Sequence, residues 1–98
     1  LVGNSSAGII ETPTFGLPAI NVGRRQEGRL CAENVIHVPH DRVAIGSALD
    51  KALHDSEFRQ VAAGCQRLYG DGRAGERIVR ILKDIELNDA LMIKRMTY

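Results

Sequence analysis

The first eleven residues, LVGNSSAGIIE, constrain the fold more than any other stretch of the chain. Two apolar residues lead into a polar turn, and an apolar pair and an acid follow it, which predicts a strand end, a tight turn and the first turns of a helix. Backbone N–H groups in a first helical turn have no partner within the helix and carry partial positive charge. Such a turn can therefore hold an anion.

The residue types within this turn suit a phosphate group. Ser5 and Ser6 supply hydroxyl donors, and Gly8 permits a close approach of the ligand. Glu11 follows at a distance of roughly 7 to 8 Å along a helix, which is close to the span from a diphosphate to the ribose of the same nucleotide. A carboxylate there can accept hydrogen bonds from both ribose hydroxyls. An ordinary helix cap formed by Asn4 and the two serines is the alternative that the same residues allow.

The remaining pattern predicts the end of an open α/β sheet. Short strands are expected at residues 18–22 and 35–38, and Pro13 keeps the first helix short or kinked before Phe15 and Gly16 close it. Helical spacing of the apolar residues then predicts three helices, the first capped near Asp41, the second starting at residues 55–56 and the third over residues 74–87. The residues expected to face inward in the second helix are Phe58, Val61, Ala62 and Cys65. Those expected on one face of the third helix are Ile78, Ile81, Leu82 and Ile85.

The loop between these two strands is a second candidate for ligand binding. In an open parallel sheet the loops at the carboxyl ends of the strands line one crevice, so residues 3–6 and 23–29 are expected on one rim. Arg24, Arg25 or Arg29 could clamp an anion there. A solvated loop with internal ion pairs is the alternative.

Composition and charge argue against several classes of function. Thirteen basic residues against twelve acidic ones give a net charge of +1, which offers no electrostatic support for binding nucleic acid or a membrane surface. No apolar run approaches the roughly 20 residues of a membrane span, and Cys31 and Cys65 lack a metal-ligand spacing, so we expect a cytoplasmic protein with free thiols and no metal site. His37 is expected to be packed or hydrogen bonded, Asp71 to be a turn or cap carboxylate, and Tyr69 to be a packing residue with a solvated hydroxyl.

Several sequence blocks, taken together and in order, resemble a known family. They are the turn at residues 3–11, the Arg-Gln-x-Gly-Arg run within residues 21–29, residues 33–36, and the Tyr-Gly-Asp-Gly run at residues 69–72. Their order and spacing over residues 1–87 are similar to the C-terminal end of the hydrolysing UDP-N-acetylglucosamine 2-epimerases. We therefore expect the C-terminal part of a longer protein. Its nucleotide-binding half-domain would occupy residues 1–87, and residues 88–98 would form a tail.

This resemblance implies a fold and a set of binding residues. Family members have two Rossmann-like domains in the glycosyltransferase-B arrangement, with the UDP-sugar in the cleft between them. The turn meets the diphosphate, the glutamate after it takes the ribose hydroxyls, and an arginine of the Arg-Gln-x-Gly-Arg loop lies near the nucleotide. The UDP-binding residues that the resemblance implies are Asn4, Ser5, Ser6, Gly8, Glu11 and Arg25.

The resemblance also implies a reaction that needs no cofactor. UDP is eliminated from UDP-N-acetylglucosamine with loss of the C2 proton, and water adds to the resulting glycal to give N-acetylmannosamine. The acid and base residues of the family lie upstream, so no catalytic residue is expected in this chain, which alone should bind UDP weakly and turn over no substrate. The implied partners are UDP, a UDP-N-acetylhexosamine, the missing N-terminal domain and further copies of the full-length protein. A glycosyltransferase of the same fold and a non-catalytic nucleotide-binding module are the alternatives.

Overall fold

The computed structural model describes residues 1–95 and shows an α/β architecture built on a parallel sheet. The three strands are β1 (Val2–Gly3), β2 (Ala19–Val22) and β3 (Val35–Val38), and they lie in that order in the sheet. Both pairs of neighbouring strands run parallel. The predicted α/β class is therefore confirmed, as are the two strands predicted between residues 18 and 38.

The core of the chain lies around the central strand. Ile20 of β2 pairs with Val2 on one side and Ile36 on the other, and it is buried together with Ala19. Ile9, from the helix that packs on β2, is buried as well. Removing such branched side chains from water is the main apolar stabilisation available to a sheet of this size.

The connection from β1 to β2 is a short helical segment. Helix α1 (Ala7–Ile10) makes one turn and is followed by a 3₁₀ turn over Thr12–Phe15, because Pro13 has no N–H with which to continue the helix. Gly16 ends this turn in the left-handed region, with φ at +59°. The prediction of a short first helix closed by Phe15 and Gly16 is confirmed.

Within the part of the chain that the structure describes, four helices follow β3. They are α2 (Arg42–His54), α3 (Ser56–Ala63), α4 (Ala74–Asp84) and α5 (Asp89–Met92). Helices α2 and α3 pack against each other, and α2 also packs on β2 and β3. Within residues 1–95, no helix is both long enough and apolar enough to cross a bilayer.

Capping carboxylates set the starts of α2 and α3. Asp41 Oδ2 accepts a hydrogen bond from the backbone N–H of Ala44 at 2.8 Å, and Asp55 Oδ1 accepts one from that of Phe58 at 3.0 Å. Each bond satisfies one of the N–H groups that a helix leaves without an internal partner. Both predicted helix starts are therefore confirmed.

The predicted inward faces are only partly correct. In α3, Ala62 is fully buried, but Val61 is 40% exposed, so its predicted inward position is wrong. Helix α4 ends at Asp84, before the predicted residue 87. Its apolar face exists but is exposed in the described structure, since an amphipathic pattern indicates which face favours burial and not what will cover it. The exposed residues of that face are Ile78, Ile81, Leu82 and Ile85.

A buried amide joins the first helix to the sheet. Asn34 is completely buried, and its Nδ2 donates to Thr12 Oγ1 and to the Leu17 carbonyl, both at 2.8 Å. The Thr12 hydroxyl in turn donates to the Gly8 carbonyl at 2.7 Å, and the Asn34 carbonyl accepts the N–H of Ala19 at 2.9 Å. This network holds α1 and the 3₁₀ turn against the starts of β2 and β3, which fixes the polar turn at residues 4–6.

Candidate functional site

Two loops meet at the carboxyl ends of β1 and β2. Residues 4–6 follow β1 and residues 23–29 follow β2, and Gln26 Nε2 donates to the Asn4 carbonyl at 2.9 Å. Gln26 is only 5% exposed, so this contact lies inside the rim. The prediction that both loops share one rim is confirmed.

The turn after β1 leaves donors unused. Ser6 makes no side-chain cap bond to α1, and Ser5 Oγ accepts the N–H of Ala7 at 3.3 Å, which is long for a hydrogen bond. Within residues 1–95, neither the Ser5 N–H nor the Ser6 N–H donates a hydrogen bond. A simple side-chain cap therefore accounts for little of this turn, and its donors are available to an anionic ligand.

An open cleft of about 570 Å³ lies at the carboxyl ends of β2 and β3, and residues of the loop at 23–29 form part of its lining. Arginines, amides and imidazoles supply its polar lining, which suits an anionic and hydrogen-bonding ligand. The polar residues that carry this character are Asn21, Arg24, Gln26, Arg29, His37 and His40. Ser5 and Gly8 line a separate, much smaller cavity of about 40 Å³ on the side of β1.

Gly23 leaves room for the His40 ring, which lines this cleft. Its φ is +82°, a region that glycine adopts at little cost, and a Cβ at this position would lie 2.3 Å from Cε1 of His40. The His40 ring therefore occupies space that only a glycine leaves open.

The residues that the sequence predicts for UDP binding lie in three parts of the structure. Asn4, Ser5, Ser6 and Gly8 form the turn and the start of α1, and Glu11 follows at the C-terminal cap of α1. Arg25 is exposed and lies next to Gln26 on the facing loop. Neither Glu11 nor Arg25 is among the described residues that line the cleft.

The loop at residues 23–29, which we call the arginine loop, also contains an internal ion pair, as the alternative interpretation expected. Arg24 Nε contacts Glu27 Oε2 at 3.0 Å, and both side chains are largely exposed. Exposed pairs of this kind hold their partners only weakly. A ligand phosphate can therefore compete with Glu27 for Arg24 at little cost.

A polar pair on adjacent strands was missed by the sequence analysis. Asn21 of β2 and His37 of β3 are register partners, and Asn21 Nδ2 lies 3.1 Å from His37 Nδ1. With the amide nitrogen donating, Nδ1 accepts and the ring proton sits on Nε2. The sequence contains one polar residue within each of these two apolar strands, and the two residues pair in the sheet. His37 is hydrogen bonded as expected, but it is exposed rather than packed.

The Tyr-Gly-Asp-Gly run is anchored to the other end of the arginine loop. The Tyr69 hydroxyl donates to the Leu30 carbonyl at 2.7 Å, so it bonds to protein where a solvated hydroxyl was expected. Asp71 is a turn carboxylate, as predicted, because it accepts from Arg77 Nη1 and from the Arg73 N–H, each at 3.0 Å. The Arg77 guanidinium and then the Arg73 N–H hold the pKa of Asp71 below its usual value.

Metal-ligating groups and thiols contribute little to this rim. Among residues 1–95, no three His, Cys, Asp or Glu side chains come close enough together to hold a metal ion. Both cysteines are free and half-buried, and burial raises the pKa of the Cys31 thiol. A thiolate is the reactive form of cysteine, so Cys31 is poorly suited to act as a nucleophile at neutral pH.

Comparison with known proteins identifies the family of this chain. The model of the family described as UDP-N-acetylglucosamine 2-epimerase matches residues 1–83. The chain belongs to this family. The resemblance predicted from the sequence blocks is thereby confirmed, and both loops of the rim lie within the matched residues.

Three relatives show how much of a longer protein this chain matches. It is 39% identical over 98 residues to a hydrolysing UDP-N,N'-diacetylbacillosamine 2-epimerase of Legionella pneumophila, covering all of this chain and 25% of that protein. It is 36% identical over 92 residues to a hydrolysing GDP/UDP-N,N'-diacetylbacillosamine 2-epimerase of Campylobacter jejuni, covering 93% of this chain and 23% of that protein. A UDP-N-acetylglucosamine 2-epimerase of Neisseria meningitidis is 41% identical over 58 residues, which are 59% of this chain and 15% of that protein. The chain thus spans a quarter or less of the length of these epimerases.

Proposed function

We propose that this chain is the UDP-binding part of a hydrolysing UDP-sugar 2-epimerase. The observation that carries the proposal is the rim at the carboxyl ends of β1 and β2, where the turn of Ser5 and Ser6, whose N–H groups donate no hydrogen bond within residues 1–95, meets the arginine loop. Donors and guanidinium groups that converge at strand ends are what a diphosphate requires. The diphosphate would therefore sit against the turn, with Arg25 on the facing loop.

The proposed contacts explain how this part of the protein would promote elimination of UDP. When the bond between the sugar C1 and the diphosphate oxygen breaks, the electron pair stays on the diphosphate, whose negative charge grows. N–H donors and an arginine that are already in place stabilise that charge more in the transition state than in the bound substrate. The turn residues and Arg25 would thus assist the leaving group. The proton at C2 would be removed by a residue outside this chain.

Glu11 would hold the ribose. Its position at the C-terminal cap of α1 puts it about one and a half helical turns beyond the serines, and its side chain is exposed. An ionised carboxylate only accepts hydrogen bonds, so it suits the two ribose hydroxyls and repels a phosphate. This division of roles orients the nucleotide along α1.

The substrate is proposed from the names of the relatives together with the rim. UDP-N-acetylglucosamine and UDP-N,N'-diacetylbacillosamine are the two UDP-sugars that these names contain. The experiment is to incubate the intact protein with each UDP-sugar and to follow released UDP and the free sugar by NMR. The proposal expects UDP with a free 2-epimerised sugar from one of them. Transfer of the sugar to an added acceptor would instead show a glycosyltransferase, and UDP binding without turnover of either substrate would show a binding module.

A further inference from the structure

Gln26 is buried in a loop whose neighbouring residues are exposed. It is 5% exposed, whereas Arg25 and Glu27 on either side face solvent. The side-chain contact that it makes within residues 1–95 is the hydrogen bond from Nε2 to the Asn4 carbonyl, and its Oε1 is buried there without a hydrogen-bond partner. A buried oxygen without a donor lowers stability. A glutamine is therefore a poor choice for packing alone at this position.

The hydrogen bond fixes both the amide and the turn. The amide can bond in only one orientation, since reversing it would place Oε1 against the carbonyl oxygen of Asn4. The C=O and N–H of a trans peptide point in opposite directions, so holding the Asn4 carbonyl also sets the direction of the Ser5 N–H. The Ser5 N–H donates no hydrogen bond within residues 1–95. Gln26 therefore sets the direction of a donor on the turn.

We propose that Gln26 is a positioning residue for the diphosphate. Its hydrogen bond orients the Asn4–Ser5 peptide so that the Ser5 N–H points away from Gln26 and towards the diphosphate, and it holds the arginine loop against the turn. This inference rests on the proposed UDP site. Gln26 lines the cleft, but it is assigned no hydrogen bond to the ligand, because its Nε2 is bonded to Asn4 and its Oε1 is buried.

The test replaces Gln26 by two residues that cannot make its hydrogen bond to Asn4. Gln26→Met has the same length and no polar atoms, and Gln26→Asn keeps the amide but is too short to reach Asn4. UDP and uridine are titrated by calorimetry against the intact protein and both variants, with Gln60→Met, an exposed glutamine on α3, as the matched control. We expect the dissociation constant for UDP to rise about tenfold in both Gln26 variants, the change that follows from one misplaced hydrogen bond. Uridine, which has no phosphate, should bind all four proteins equally.

Thermal unfolding separates positioning from a structural role. Gln26→Met removes a buried unpartnered oxygen together with one hydrogen bond to Asn4, and because these two effects offset each other, its melting temperature should stay close to that of the wild type. Parallel loss of UDP affinity, uridine affinity and melting temperature would show a structural residue and overturn the proposal. Unchanged UDP binding in both Gln26 variants would also overturn it, while leaving the UDP site itself in place. Failure of the wild type to bind UDP would instead contradict the proposed function.

Discussion

Replacing Asn34 by alanine should be among the most destabilising single changes in this chain. The Asn34 side chain is completely buried and donates two hydrogen bonds, to the Thr12 hydroxyl and the Leu17 carbonyl. Those bonds join the segment that carries the polar turn to the start of β3. The alanine variant removes both bonds and leaves a void in the core.

The magnitude follows from these contacts. Loss of two hydrogen bonds costs about 1 kcal/mol each. The void and the weakened bonding of the two acceptors add about 1 to 2 kcal/mol. Removal of Oδ1, which has no hydrogen-bond partner among residues 1–95, offsets about 1 kcal/mol of this loss in stability. The free energy of unfolding should therefore fall by about 2 to 3 kcal/mol, a large part of the marginal stability of a typical domain.

Urea unfolding of the intact protein, followed by circular dichroism, measures this loss. Asn88→Ala is the matched control, because Asn88 is exposed and its Oδ1 caps α5 through the N–H of Leu91 at 3.0 Å. An exposed cap of this kind contributes about 1 kcal/mol or less. If Asn34→Ala shifts the unfolding midpoint no more than Asn88→Ala does, the buried network does not hold the first helix to the sheet.

Two further predictions concern a glycine and an ion pair. Gly16→Ala places a Cβ 2.8 Å from the backbone of Ala63 at a φ of +59°, so it should lower the free energy of unfolding by about 2 kcal/mol or more. Gly46→Ala, in the open middle of α2, should instead raise the free energy of unfolding by up to about 1 kcal/mol. Equal effects of the two substitutions in urea unfolding would contradict this assignment. The depressed pKa of Asp71 means that its pair with Arg77 is fully present above the usual carboxyl pKa of about 3.9 and is lost as the pH falls through the folded value. An NMR titration of Asp71 should give a midpoint below that value, and Arg77→Ala should move the midpoint upward. If Arg77→Ala leaves the midpoint unchanged, the pairing is contradicted.

Local signals in the sequence were sufficient for most of the elements. The caps at Asp41 and Asp55 and the break at Pro13 act within a few residues, so each could be recognised from the sequence alone. The order of apolar strands and polar loops indicated a parallel sheet, and with it a shared rim for the two loops.

Features that depend on distant contacts were not predictable in this way. The buried roles of Gln26 and Asn34 arise from bonds to residues 22 positions away in the chain, and nothing in their local sequence distinguishes them from loop residues. Val61 and the apolar face of α4 were predicted from helical spacing and are exposed. Such spacing shows which side of a helix is apolar, but not which other element will pack against it. The exposed pair Arg24 and Glu27 was indicated only as an alternative, since ion pairing and ligand binding require the same residue types.

The most direct test of the proposed UDP site is a calorimetric titration of the intact protein with UDP and with pyrophosphate. Glu11→Ala is compared with wild type and with Glu33→Ala, a control at another exposed glutamate. Because two hydrogen bonds to the ribose are lost, Glu11→Ala should weaken UDP binding by about 1.5 to 3 kcal/mol and leave pyrophosphate binding unchanged. If Glu11→Ala binds UDP as tightly as wild type and Glu33→Ala do, Glu11 does not hold the ribose, and the nucleotide does not lie along α1 as proposed.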